Sequence, residues 1–402
     1  MDKPLTGVRI IELATHGACP SAGEILNGWG AEIIKVEAIS GDAARMSGFN
    51  FGVPVTDTMN PHFDFLNTGK KSIALDLKTE KGSKIMSKLI DSSDVLLTNM
   101  RNHGLKHLGL DYDAIVEKHP NVIWAHLTGF GEEGPNADDA GFDTVAYYAR
   151  PGAMLDFAEK NTAPINAPFG VGDLSAGSTL AGGIAAALYQ KARTGKGSKV
   201  TISLYGQSIW SLGIVLQSIK HGAQYPKSRT EAAVPLNNSY QCADGEWLYI
   251  SVLQYDRYFK EFCTAIERAD LIDDTRYNTL TEAKKHNKEL IEIISESFKR
   301  HTLSEWMKRL DATDIAYNQI NHIRDVLYDE QALVNNYINT VQYEDGNESV
   351  TVAPPLTIGS QEPIRAIRGP KLSENAGEIL ASIGITEDEI EELYEEGIVV
   401  RK

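Results

Sequence analysis

Val8-Arg9-Ile10-Ile11-Glu12-Leu13 and Ala31-Glu32-Ile33-Ile34-Lys35-Val36-Glu37 are two short apolar runs that read as strands. Between them, Pro20 through Trp29 has helical spacing, with Ile25, Leu26 and Trp29 on one side and Gly30 closing the turn. A strand, a helix and a second strand in about thirty residues make a βαβ unit, which requires parallel strands. The pattern continues outward. Ser72–Leu77 reads as a third strand, and the helix after it keeps Ile85, Leu89 and Ile90 on one face. Asp94–Leu97 and Val122–Leu127 are two further strands, separated by a helix over Tyr112–Lys118. The fold class is therefore α/β with a parallel sheet.

Beyond this core, Leu174–Ala192 reads as a long helix rich in Gly and Ala, whose small residues permit a close approach by a ligand or a packed strand. Lys199–Leu204 alternates as a strand. The character changes after Gly222. Residues 227–234 are polar and loop-like, Trp247–Val252 is a strand after the Asp244-Gly245 turn, and amphipathic helices run to about Leu310. A smaller α+β domain is placed over 225–330, after a large-domain segment over 1–224. Strand-like Glu348–Val352 and an acidic helix over Glu387–Glu396, with Ile390 and Leu393 inward, occupy 331–402.

The chain has 402 residues, a formal charge of −16 and a hydrophobic fraction of 42%. That length exceeds what one core fills, so more than one packed unit is expected. The acidic balance argues against a nucleic-acid partner, which requires a basic footprint. Cys19, Cys242 and Cys263 are too far apart for a disulfide framework or a metal knuckle. No basic-then-apolar leader opens the sequence, and the apolar windows Thr179–Tyr189 and Trp210–Ile219 fall short of the ~20 residues a bilayer span needs. The expectation is a cytoplasmic protein without a membrane partner.

Gly129-Phe130-Gly131-Glu132-Glu133-Gly134 matches a dinucleotide-binding spacing, but Glu132 and Glu133 would repel a pyrophosphate and no aliphatic helix follows. A glycine loop near a site, or a plain turn, is the better reading. His103 and His107 are four apart, with no acidic or cysteine partner at matching spacing, so no metal site is expected. Asp173 stands in Gly170-Val171-Gly172-Asp173-Leu174-Ser175-Ala176-Gly177, just before the small-residue helix. Its ordinary role is a helix N-cap. Its chemical one is a carboxylate kept ionised by the positive helix end, flanked by glycines that admit a substrate, and able to attack an activated acyl group. The residues alone leave both open.

Several ordered motifs make the chain resemble the class III CoA-transferases, the superfamily of formyl-CoA transferase, carnitine CoA-transferase and α-methylacyl-CoA racemase. These are Leu5–Leu13; Gly30–Glu37 with Gly41-Asp42 and Arg45; Asn67, Lys70–Ile73 and Leu75–Lys78; Asn99-Met100-Arg101 with Leu108-Gly109-Leu110; Gly129-Phe130-Gly131 with Gly134-Pro135; and Gly172-Asp173. The resemblance implies a Rossmann-like large domain completed by the return segment 331–402, a small domain between, and an interlocked homodimer. It implies coenzyme A or acyl-CoA as a substrate, with no tightly bound cofactor. Asp173 falls where the family carries its nucleophile. Ala18, Leu75, Lys78, Asn99, Met100, His107, Gly141, Phe142 and Asp143 fall where relatives line the CoA site, with Lys78 toward a CoA phosphate and Asp143 positioning a neighbouring group.

Departures narrow the reading. Ala18-Cys19-Pro20 stands for the family's Ala-Gly-Pro, Ala38 for a basic residue, and His107 for an arginine. Pro235–Tyr240 occupies the region of formyl-CoA transferase's tetraglycine lid. Racemases of the superfamily carry a histidine base at the place of Phe142, which moves no proton, so transfer is favoured over epimerisation. The chain is similar to the clostridial (R)-2-hydroxyacyl-CoA transferases of amino-acid fermentation, which implies CoA transfer to a carboxylic acid such as 2-hydroxyisocaproate or phenyllactate through aspartyl intermediates. The alternatives are an acyl-CoA racemase and a non-catalytic acyl-CoA-binding subunit.

Overall fold

The structure is a computed structural model that describes residues 3–56, 58–359 and 368–401. Six strands, β1 (Arg9–Leu13), β2 (Glu32–Glu37), β3 (Lys71–Ala74), β4 (Val95–Thr98), β5 (Ile123–Thr128) and β6 (Lys199–Ser203), form one sheet in the order β3-β2-β1-β4-β5-β6. Every pairing in it is parallel. This is the doubly wound order of dinucleotide-binding folds, the Rossmann-like arrangement that the family resemblance implied.

The period of two explains its stability. Ile10, Ile33, Leu97 and Ala125 point to one face, where Leu26 of α1 (Ala18–Gly28) and Leu180 and Ile184 of a long helix cover them. Ile11, Ile34, Leu96 and Trp124 point to the other, against Ile85, Leu89 and Ile90. With both faces covered, the strands carry apolar residues on each side. Helix α2 (Pro61–Asn67) follows β2, and α3 (Glu80–Asp91) follows β3, capped by Thr79, whose side chain accepts from the Gly82 amide. Helices α4 (Asn102–Leu108) and α5 (Tyr112–Lys118) separate β4 from β5, with a one-turn α6 (Ala153–Asp156) after β5. Strand β3 is shorter than expected: past Ala74 the chain turns to the C-terminal return, where the Asp76 amide donates to the Ile398 carbonyl and Leu75 pairs with Val399. The acidic helix, Glu387–Glu395, buries Ile390 and Leu393 in this same core.

Helix α7 (Val171–Thr194) is longer than its apolar stretch indicates. By length and composition it passes the test for a membrane span, as the core helices of soluble proteins also do. Here Ala176, Leu180, Ala181 and Ile184 are buried against α1 and the sheet. Gly177 is needed there, since a Cβ would lie 1.9 Å from Ser21 Oγ.

The chain divides into two packed units. One comprises 1–153, 167–216 and 330–402; the other, 154–166 and 217–329. The second is α+β: β7 (Asn237–Gln241), β8 (Trp247–Ser251) and β9 (Tyr317–Gln319) form an antiparallel sheet. Leu248 and Ile250 of that sheet pack on Phe259, Phe262, Phe298 and Trp306 of its helices. In the first unit, β10 (Ile338–Gln342) and β11 (Glu348–Val352) form a hairpin tied to α2, where the Tyr343 hydroxyl donates to Asp64 Oδ2 at 2.8 Å.

Candidate active site

Strands β1 and β4 are neighbours whose connections leave toward opposite edges of the sheet, and ligands of such sheets bind at the carboxyl ends of that pair. The chain leaves β1 through Ala14-Thr15-His16-Gly17 and β4 through Asn99-Met100-Arg101. Asn99 stitches the two together: its Nδ2 donates to the Thr15 carbonyl at 2.8 Å and its Oδ1 accepts the Thr15 amide at 3.1 Å.

His16 has φ +61°, a left-handed conformation that costs an L-residue about 1–2 kcal/mol. Buried ions hold it there. Its amide donates to Asp42 Oδ1 at 3.2 Å, and Asp42 Oδ2 lies 2.9 Å from Lys35 Nζ. Lys35 also donates to the Ala14 carbonyl at 2.9 Å and pairs with Glu12 at 3.2 Å, while Lys70 meets the other Glu12 oxygen at 2.8 Å. All four side chains are fully buried. Burial alone would lower the Lys35 pKa, but Glu12, Asp42 and Glu37 outweigh it and raise it. Lys70 is lowered by burial, and burial pushes Glu24 up to about 8.

Asp173 arrives from α7. The cap of that helix is Gly170, with φ +87° and no side-chain cap hydrogen bond, and Asp173 is the third helical residue. The capping role expected from the sequence is thus taken by a glycine. Asp143 performs the anchoring instead: it is buried, and its Oδ2 accepts the Gly170 amide at 2.7 Å. Burial raises the Asp143 pKa, with the Gly170, Gly172 and Asp173 amides pulling it back.

The Asp173 carboxylate accepts no hydrogen bond among the described residues, and it is 8% exposed. Burial, then the charge of Asp143, pushes its pKa up to about 7. Burial therefore outweighs the helix end that was expected to keep it ionised. Its Oδ2 rests on Gly17, where a Cβ would lie at 2.5 Å.

Two cavities meet at this carboxylate. One, about 330 Å³, is lined by Ala18, Asn99, Met100, Arg101, Gly129, Gly141 and Phe142. The other, about 620 Å³, is lined by Phe51, Val53, His62, Phe65, Leu66, Phe169, Val350 and Val352. His16, Gly17 and Asp173 line both. The His16 ring packs edge-on against Phe142, centroids 5.5 Å apart, and His62 tilts against Phe51 at 5.2 Å. Burial lowers the His62 pKa.

The smaller cavity gathers Ala18, Asn99, Met100, Gly141, Phe142 and Asp173 from the sequence reading. Leu75, Lys78, His107 and Asp143 lie outside its lining. Leu75 is a core residue at 1% exposure, Lys78 and His107 are exposed, and Asp143 is beneath the start of α7. The glycine loop borders the site: Gly129 packs on Gly141, where either Cβ would come within 2.6 Å of the other's Cα. Glu132 pairs with Lys199 at 2.7 Å and with the His126 imidazole at 3.2 Å. Sequence reasoning missed His16, although its place between β1 and α1 at the sheet's switch point was a usable signal. It also missed the larger cavity, whose walls come from residues 44–66, 169–174 and 349–352.

Known proteins resemble this chain in sequence and fold. The chain matches CoA-transferase family III over residues 5–376. It is 36% identical to the (R)-2-hydroxy-4-methylpentanoate CoA-transferase of Clostridioides difficile, over 98% of this chain and 99% of that one. It is 39% identical to the cinnamoyl-CoA:phenyllactate CoA-transferase of Clostridium sporogenes, over 99% and 98%. A CAIB/BAIF family protein from Brucella suis superposes with a TM-score of 0.79 at 26% identity, over 95% of this chain and 100% of its own. Rv3272 from M. tuberculosis does so at 0.81 and 26%, over 93% and 98%. The chain belongs to CoA-transferase family III and is a CoA-transferase.

Proposed function

We propose that the chain moves CoA from an acyl-CoA thioester to an (R)-2-hydroxy acid with an apolar side chain, of the 2-hydroxyisocaproate or phenyllactate type, with Asp173 as nucleophile. The observation that carries this reading is the unpaired Asp173 carboxylate at the meeting point of two cavities of different character. The smaller one takes the pantetheine end and thioester of CoA. Arg101 is the one Lys or Arg among its described lining residues, which makes it better placed than Lys78 for a CoA phosphate. The larger one takes the acid. Its walls are mainly aromatic and aliphatic, with Ser47, Ser349, Thr351, His16 and His62 as polar members besides Asp173, and include no Lys or Arg among the described residues, which disfavours a dicarboxylate. The relatives named for hydroxy acids with branched or aromatic side chains support the same class.

In this mechanism an Asp173 oxygen attacks the thioester carbonyl. The C–S bond breaks, a mixed anhydride forms and CoA departs as a thiolate. The thiolate attacks the aspartyl carbonyl and expels the donor acid as a carboxylate, leaving an aspartyl-CoA thioester. The acceptor carboxylate attacks that thioester, and the released thiolate then takes the acceptor's carbonyl, freeing Asp173. No net proton or electron is consumed. A carboxylate with few hydrogen bonds is a strong nucleophile once ionised. Asp143 engages the amides at the start of α7, so oxyanion stabilisation passes to the glycine loop, whose Gly129 borders the cavity. Trp210 and Ile214, 81% and 85% exposed, support a homodimer in which a second copy covers this surface, a point light scattering decides.

The test is a transfer assay with one acyl-CoA donor and a panel of acids. The proposal expects kcat/KM at least tenfold higher for apolar 2-hydroxy acids than for oxalate or glutarate. Preference for a dicarboxylate would refute it.

A further inference from the structure

Only three described residues line both cavities, and of these only Asp173 and His16 carry side chains beyond hydrogen. We propose that the His16 imidazole hydrogen-bonds the 2-hydroxyl of the acid substrate and so sets the preference for hydroxy acids, an inference that rests on the substrate reading above.

The geometry follows from the chemistry of the substrate. The 2-hydroxyl is one carbon from the carboxyl that bonds to Asp173, so its partner must stand where Asp173 stands, at the junction. The walls of the larger cavity are mostly apolar, its hydroxyl side chains (Ser47, Ser349 and Thr351) line that cavity alone and not the junction, and a substrate hydroxyl left at the junction without a partner would be penalised. His16 fits the position on three independent counts. Its ring nitrogens hydrogen-bond nothing among the described residues; its only hydrogen bond is through the backbone amide. Its ring is held edge-on by Phe142, on the CoA side of the junction. Its left-handed backbone is maintained by Asp42 and the fully buried Lys35, so a conformation that ordinary turns avoid is preserved at this one point. His62, the other imidazole in the acid cavity, lies against Phe51 and lines that cavity alone, which places it along the substrate's side chain.

The experiment compares kcat/KM for a 2-hydroxy acid and for the same acid lacking the hydroxyl, with one acyl-CoA donor, in the wild type, His16→Gly and His62→Gln. Glycine adopts a φ near +61° freely, so His16→Gly removes the ring while the turn is kept. Circular dichroism verifies its folding. The ratio of the two kcat/KM values is expected to fall about tenfold or more in His16→Gly. An equal loss for both acids would make His16 a general stabiliser of the reaction and overturn the proposal. A ratio lowered by His62→Gln and unmoved by His16→Gly would assign the hydroxyl to α2, with the same consequence. His16-dependent uptake of solvent deuterium at the carbon next to the carbonyl would make the imidazole a base rather than a hydroxyl contact, and also overturn it. A wild type without preference for the hydroxy acid would refute the substrate reading itself, and this inference with it.

Discussion

Asp173→Asn should make the protein more stable while abolishing transfer. The wild-type carboxyl rises from 3.8 to about 7 on folding, driven first by burial and then by Asp143. At ~1.36 kcal/mol per pH unit, that rise is a penalty of order 4 kcal/mol against the folded state once the group is ionised. The sign is that of a raised carboxyl. Below pH 3.8 both states are protonated and nothing is lost. Between 3.8 and about 7 the unfolded chain ionises while the folded one holds its proton, so stability declines as pH rises. Above about 7 the full penalty persists. Asparagine fills the same volume without charge. It forgoes about 0.5 kcal/mol of interaction with the α7 N-terminus, leaving a net gain of about 3.5 kcal/mol. No cap is lost, because Gly170 holds that position. Melting midpoints for wild type and variant at pH 8, 6 and 4.5 provide the assay. The variant should melt roughly 5 °C higher at pH 8, with the gain nearly gone by pH 4.5. A variant no more stable than wild type at pH 8, or equally stabilised at all three, would refute the reasoning that burial sets this carboxyl.

Transfer by the wild type should respond to the same titration: kcat/KM for the acyl-CoA should rise with pH through about 7, as the free enzyme's carboxyl ionises. A flat profile from pH 5.5 to 8 would contradict it. Gly17→Ala should cost on the order of 10²-fold in kcat with little loss of stability. Its Cβ would meet Asp173 Oδ2 at 2.5 Å, while φ −104° and ψ −54° suit any residue; near-native kcat in this variant would show the carboxylate is not held by that contact. Lys35→Met should destabilise by about 3–5 kcal/mol, because Glu12 and Asp42 would lose a fully buried partner. Denaturant unfolding with a loss under about 1 kcal/mol would mean the buried ions do not support the β1–α1 turn.

The sheet was legible because each strand repeats with period two and each crossover helix with its own apolar stripe. Ile10 and Ile11 face opposite cores as the alternation dictates. What strand patterning does not encode is where a neighbour ends a strand. Leu75 continues the apolar run of β3, yet it pairs with Val399 from the far end of the chain and is core rather than cavity wall. The importance of Asp173 was visible from its glycine-flanked place before a small-residue helix, but its environment was not. Helix position alone indicates a capping, ionised carboxylate. Only the fold brings Gly17 and Asp143 against it and removes water. The acid cavity was illegible for a related reason: Phe51, Phe169 and Val350 come from three distant segments and no local spacing links them. Residues 154–166 carry no composition signal either, and they pack with the second unit although the sequence places them inside the first.

The central claim is that Asp173 becomes covalently activated. Incubating the protein with an acyl-CoA, trapping with hydroxylamine or borohydride and sequencing the modified peptide by mass spectrometry tests it directly. The account predicts a hydroxamate or a reduced side chain at Asp173, absent in Asp173→Asn. An unmodified Asp173 in protein that is turning over CoA would contradict it.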